Sequence, residues 1–150
     1  MQSLPVSTIA HLIQLAIAPV FLLAGIGAIL NVLAARLARI VDRSRKLEEE
    51  IGGYDPAARE GASAELCLLD RRMVIVNQAI RSCTASALFT CLVVAILFVA
   101  DLTDFQYALP IALLFIVAML LLITGLILFL YEISLAMRAI RARRALLMKH

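Results

Sequence analysis

Two stretches of this chain, Met1 to Ala35 and Ser82 to Met137, contain no lysine or arginine. All fourteen basic residues fall within Arg36 to Arg81 and Arg138 to Lys149. The middle of each apolar run also lacks aspartate and glutamate, which argues against a proton pump or ion-coupled carrier, since their relays need such groups. No internal repeat supplies the paired halves of a transporter. Cysteine is scarce: Cys67, Cys83 and Cys91 are odd in number and lack metal-type spacing, so no disulfide framework follows, and they read as small packing residues. No Ser/His/Asp, Cys/His or metal cluster appears, nor a glycine loop that could cradle phosphate. Ser7 and His11 are one helical turn apart without an orienting carboxylate, and the other histidine is the terminal His150. The expectation is therefore no enzyme, no cofactor and no metal. A cleaved signal peptide would need a basic n-region and a short apolar core; this chain has no such n-region and a longer run, so its first apolar segment reads as a retained helix.

What the chain does have is three uncharged apolar runs, Thr8 to Ala35, Ser82 to Ala100 and Ala108 to Tyr131. Each reaches the roughly 20 residues that a spanning helix needs. Hydrophobic residues make up 63% of the chain and mean hydropathy is +0.99, well above the ~45–50% apolar content of soluble domains. The expected fold is an all-α integral membrane protein, one membrane domain with three transmembrane helices. Lys and Arg concentrate in cytoplasmic loops near the spans, so 36–81 and 132–150 are expected in the cytoplasm. Met1 to Ser7 and the loop Asp101 to Tyr107, which holds Asp101 and Asp104, are expected outside. The net charge of +3 comes from basic residues interleaved with acids such as Asp42, Glu48, Glu49, Glu50 and Asp70, which fits lipid headgroups rather than nucleic acid.

Between the first two spans, Leu37, Ile40, Val41, Ser44, Leu47 and Ile51 recur at helical spacing. Gly52, Gly53, Asp55, Pro56 and Gly61 should break that helix, with Ser63 as N-cap and Glu65 in the first turn of the next. Leu66, Leu69, Met73, Val76 and Ile80 form the second apolar stripe. The two should pair as a cytoplasmic helical hairpin over about 36–81 that extends spans 1 and 2, projecting roughly 20–25 Å. Its charges, including Asp42 with Lys46 and Arg45 with Glu49, read first as a solvated face, and otherwise as a docking surface for a protein partner. The tail after Tyr131 continues as a basic helix in which Arg138, Arg141, Arg143, Arg144 and Lys149 suit anionic headgroups.

Inside the spans the polar and small residues are informative. Ser7, His11, Gln14, Ala18 and Gly25 share a stripe of the first span with Leu22, Ile29 and Val32. One reading is a water-filled vestibule around a common axis, closed by those aliphatic side chains. The other places His11 and Gln14 at the outer interface, with ordinary packing below them. Ala24, Gly27, Asn31 and Ala35 read as a helix-packing face, as do Ala79, Cys83, Ser86, Ala87, Thr90 and Val94 on the second span. The third span is apolar nearly all round and is expected to face lipid, with Tyr107 and Tyr131 at its interfaces and Pro110 in its first turn.

The segment Val6 to Arg43, VSTIAHLIQLAIAPVFLLAGIGAILNVLAARLARIVDR, resembles the opening signature of a bacterial membrane-protein family catalogued as domain of unknown function 2721. APVFLLAGIGAILNVL and LARIVDR are the most specific pieces, and RRMVIVNQAIRSCTASALFTCLVVAILF with ALLFIVAMLLLITGLILFLYEISLA extends the likeness over most of the chain. The resemblance implies a bacterial inner-membrane protein of this topology and supplies no activity. Its family-like positions are Pro19, Gly25, Gly27, Asn31, Arg36, Arg39, Asp42, Arg43, Arg71, Arg72 and Asn77.

Arg36, Arg39, Arg43, Arg72 and Asn77 are expected to meet at the cytoplasmic boundary. There they form either a collar paired with Asp42 and Asp70, or a site for a lipid headgroup or ligand. Two functions from different classes follow. One is a homo-oligomer joined through the first and second spans and forming a small ion-conducting pore lined by span 1. The alternative is a non-conducting anchor whose cytoplasmic hairpin binds a partner protein.

Overall fold

The computed structural model describes the backbone of residues 6–103 and 108–147. Side chains are described within 13–100 and 109–137, apart from residues 15, 16 and 57. Three helices make up nearly all of it: α1 (Val6–Glu50), α2 (Pro56–Thr103) and α3 (Ala108–Leu147). By length and composition Ile17–Gly53, Ala58–Ala100 and Leu109–Met137 are each long and apolar enough to cross a membrane, which suggests a multi-pass membrane protein. At about 1.5 Å per residue the 45 residues of α1 extend ~68 Å, against a hydrocarbon core of ~30 Å. The helix therefore runs far past its apolar part.

A single 3-10 turn, Ile51–Gly53, ends α1. The Tyr54 amide donates to the Ile51 carbonyl (3.4 Å), and the Tyr54 hydroxyl donates to Glu50 Oε2 (2.8 Å), closing the turn. α2 starts at Pro56, not near Ser63 as the sequence led us to expect. Proline suits a first helical position because its φ is preset and its missing N–H has no partner there, and the Arg59 amide already donates to the Asp55 carbonyl. Ser63 lies inside the helix with its hydroxyl on the Glu60 carbonyl, 2.8 Å away. Gly61 costs the helix roughly 1 kcal/mol, which the buried Ala62 beside it helps to offset.

The helices form two compact units, one from the described parts of Met1–Leu30 and Ser82–Ile123, the other from those of Asn31–Arg81 and Thr124–His150. Burial follows a seven-residue period throughout: Pro19, Ile26, Leu33, Ile40 and Leu47 on α1; Ala62, Leu69, Val76, Cys83 and Thr90 on α2; Ala118, Gly125 and Glu132 on α3. That is the period of helices packed knobs-into-holes. A second row on α2, Ala79, Ser86 and Val93, is buried as well.

In the first unit the seam sets small residues, Ser82, Cys83, Ser86, Thr90 and Ala118, beside the larger Ile26, Val93 and Leu122. Ser86 is fully buried and its hydroxyl donates to the Ala118 carbonyl of α3 at 2.7 Å, while Thr90 donates back to the Ser86 carbonyl at 2.9 Å. Ser86→Ala is expected to lower stability by about 1 kcal/mol, near the range measured for hydrogen bonds between membrane helices. A thermal melt in detergent reads this directly, and an unchanged melting temperature would remove the bond from the account.

In the second unit Leu33, Ile40 and Leu47 are buried with Ala62, Leu69, Val76 and Ala79. The remaining members of the α1 stripe, Leu37, Val41, Ser44 and Ile51, are half-buried. Much of α3 is open to its surroundings: Leu109, Leu113, Ile116, Leu120, Ile123, Ile127, Leu130 and Tyr131 are all exposed. Among the described residues of α3 only a narrow line, Ala118, Leu122, Gly125 and Glu132, is buried.

Candidate functional site

The last position in that line is a carboxylate. Glu132 has 0% exposure and is the only charged residue between Asp104 and Arg138. Its Oε2 accepts from Nη1 of Arg36 at 3.0 Å, and its Oε1 accepts from Nη2 of Arg72 at 2.6 Å. The period explains the meeting. Arg36 sits between Leu33 and Ile40 on α1, Arg72 between Leu69 and Val76 on α2, and Glu132 seven residues after Gly125 on α3. Each helix thus places one charged group where its seam would otherwise carry an apolar one.

An isolated carboxylate removed from water is strongly disfavoured unless paired and hydrogen-bonded, and two guanidiniums meet that demand. Arg36 has a further partner, since its guanidinium carbon lies 5.3 Å from the centre of the Phe129 ring. That cation–π contact is worth ~0.5–2 kcal/mol depending on solvent access. Arg72 is less well served. Its Nε is buried without an acceptor, a defect that costs ~1–3 kcal/mol.

Further along the same unit Arg43 reaches Glu65. Its Nε and Nη2 are 2.9 and 2.8 Å from Glu65 Oε1. The hydrogen bond to Glu65, then its charge, raises the Arg43 pKa above the ordinary arginine value. Both side chains keep a third or more of their surface in solvent, so the pair is worth at most ~0.2–1 kcal/mol. Arg39 is exposed and has no ion pair among the described residues.

These side chains surround a cavity of about 220 Å³ lined by Arg36, Arg39, Ile40, Arg43, Leu69 and Arg72. Four guanidiniums converge on it. Among the described residues two carboxylates, Glu65 and Glu132, form ion pairs with three of them, and Glu50 acts on Arg43 at longer range. The groups present are donors and cations, so the chemistry on offer is the holding of an oxyanion.

Of the boundary residues expected from sequence, Arg36, Arg39, Arg43 and Arg72 come together at this cavity, whereas Asn77 is exposed and does not line it. The ion-pair partners differ from expectation. Asp42 and Asp70 are exposed and pair with none of these arginines, and among the described residues neither Asp42 with Lys46 nor Arg45 with Glu49 forms an ion pair. Solvated carboxylates gain little from pairing, while the desolvated Glu132 requires it. Sequence reasoning passed over Glu132 because it sits one residue beyond the third apolar run. The signal was there in the spacing of Ala118, Gly125 and Glu132.

On the first span, Gln14, Ala18, Gly25 and Val32 are exposed, and Leu22 and Ile29 are half-buried. The side chains of Ser7 and His11 lie outside the described residues. Ala24, Gly27 and Asn31 are exposed in the single copy, while Ser86 and Thr90 are buried. A second cavity in the first unit, lined by Ile13, Ile17, Val20, Phe21 and Phe98, is wholly apolar. Among the described residues no group of three His, Cys, Asp or Glu side chains could hold a metal ion.

Residues 16–142 match the sequence profile of a family described as a protein of unknown function, DUF2721. No curated protein and no solved structure matches the chain.

Proposed function

The chain belongs to the DUF2721 family, and on that footing we propose that it is a self-associating, multi-pass protein of the bacterial inner membrane. Its amino terminus is outside and its carboxyl terminus cytoplasmic, following the distribution of Lys and Arg around the spans. The observation that carries self-association is that two faces of α1 are open. Gln14 with the small residues Ala18 and Gly25 on one, and Asn31 with Ala24 and Gly27 on the other, are exposed within the apolar part of the helix. Polar amides are costly against lipid, and small residues let another helix approach closely; a second copy of α1 or an axial column of water answers both. With several copies around one axis, α1 would line a small ion-conducting pore in which Leu22, Ile29 and Val32 form the constriction.

Native mass spectrometry of the protein released from nanodiscs tests this reading. A defined ring of about four or more copies is expected, with conductance in planar bilayers that rises when Leu22 or Ile29 becomes serine. A monomer or dimer overturns the axial pore.

The non-conducting anchor retains one observation in its favour. Ile40, Leu47, Ala62 and Leu69 are buried between two helices whose outer faces expose Asp42, Arg45, Lys46, Glu48, Glu49 and Arg71, a stem of mixed charge suited to a protein partner. That reading requires a partner that co-purifies and is lost when residues 36–81 are deleted.

A further inference from the structure

We propose that the arginine-lined cavity of the second unit binds a phosphate-type oxyanion, the headgroup of an anionic phospholipid or a soluble phosphate ester. The site depends on neither self-association nor conduction. Four guanidiniums, those of Arg36, Arg39, Arg43 and Arg72, line one cavity, and among the described residues they form ion pairs with only two carboxylates, Glu65 and Glu132, with Glu50 acting on Arg43 at longer range. The excess of positive charge favours an anion. Guanidiniums gathered around one cavity favour a counter-anion, and the exposed Arg39 with the partly exposed Arg43 leaves the site open to one.

The built-in carboxylate also shapes what the cavity accepts. Glu132 occupies both of its oxygens with Arg36 and Arg72, which fixes those two guanidiniums from the buried side. Arg39, exposed and unpaired among the described residues, is the donor left to close on a ligand. Guanidinium is the side chain best shaped for this, because its planar fork offers paired N–H donors to two oxygens of one phosphate. Size restricts the ligand as well. A volume of about 220 Å³ falls below the ~300–1,000 Å³ of cavities that enclose drug-sized molecules, and suits a phosphate group whose organic remainder stays outside. Ile40 and Leu69, both nearly buried, form the apolar part of its wall.

The experiment uses the full-length protein in two arms. In the first, the protein in phosphatidylcholine nanodiscs is titrated with inorganic phosphate and with glycerol 3-phosphate, and binding is followed by thermal shift. In the second, protein from nanodiscs containing phosphatidylglycerol or phosphatidic acid is released into the mass spectrometer, and retained lipid is counted. Arg39→Gln is the test variant, because Arg39 forms no ion pair among the described residues, and Arg39→Lys is its charge-preserving partner. Binding is expected in at least one arm. Arg39→Gln should weaken it about tenfold or more, the loss expected of one charge-assisted hydrogen bond, and Arg39→Lys should restore part of it. Binding in the second arm alone makes the ligand a lipid headgroup, and binding in the first makes it a soluble phosphate ester. No binding in either arm, or equal affinity in wild type and Arg39→Gln, overturns the site. A monomer that binds phosphate leaves the site standing while the axial pore falls.

Discussion

Glu132→Ala is expected to destabilise the protein by about 3–5 kcal/mol, the cost of removing one member of a buried, hydrogen-bonded ion cluster and leaving the others unpaired. Two effects combine. The guanidiniums of Arg36 and Arg72 lose the carboxylate that each contacts, and their like charges then face each other in a seam from which Glu132 was fully excluded from solvent. Replacing all three residues together by apolar ones of similar volume should behave very differently. Buried clusters of this type are often matched or exceeded in stability by well-packed apolar substitutes, by ~1–4 kcal/mol. Equilibrium unfolding in detergent, followed by circular dichroism, reads both variants. A single substitution that unfolds the protein, set against a triple substitution that does not, would mean that the cluster is retained for what it binds and not for the stability it confers. A loss below about 1 kcal/mol for Glu132→Ala would remove the clamp from the energetics altogether.

Leu47→Ala should cost about 2–5 kcal/mol, the range for truncating a buried leucine, where lost transfer energy and a residual cavity add together. Leu47 is 2% exposed and packs in the seam of the second unit, well beyond the first apolar run. Leu33 is buried just as fully, yet Leu33→Ala is expected to cost clearly less. If residue 33 lies at membrane depth, lipid tails solvate its methyl groups about as well as protein does, so the transfer contribution drops out and only packing remains. The pair of variants locates the water boundary on α1 without any labelling. Equal losses at both positions would place them in the same solvent and contradict the span boundaries read from the sequence.

The three helices were legible because their cause is local. Apolar runs of spanning length, free of charge, leave the backbone few alternatives to helix in lipid. The stripe containing Ile40 and Leu47, and that containing Leu69 and Val76, were likewise visible as periodic apolar residues, and all four are buried. Cys83, Ser86 and Thr90 stood out because small, weakly polar residues in an apolar helix mark a close approach, and all three are buried as well. The start of α2 was misread because the glycines and Ser63 offered familiar punctuation, while Pro56 served equally as a breaker and as an opener. The partners of the arginines were out of reach for a different reason. Arg36 and Glu132 are 96 residues apart and Arg72 and Glu132 are 60, and nothing local links them. The local candidates, Asp42 and Asp70, lie near the arginines in sequence, but solvent already satisfies them.

The long separation between Glu132 and its two arginines also has a bearing on biogenesis. Synthesis proceeds from the amino terminus, so both guanidiniums of the seam exist before their shared counter-charge has left the ribosome. The carboxylate arrives only with the third helix. A nascent chain halted before the third helix, or one in which that helix fails to insert, lacks the one carboxylate that pairs with both cations in the folded structure.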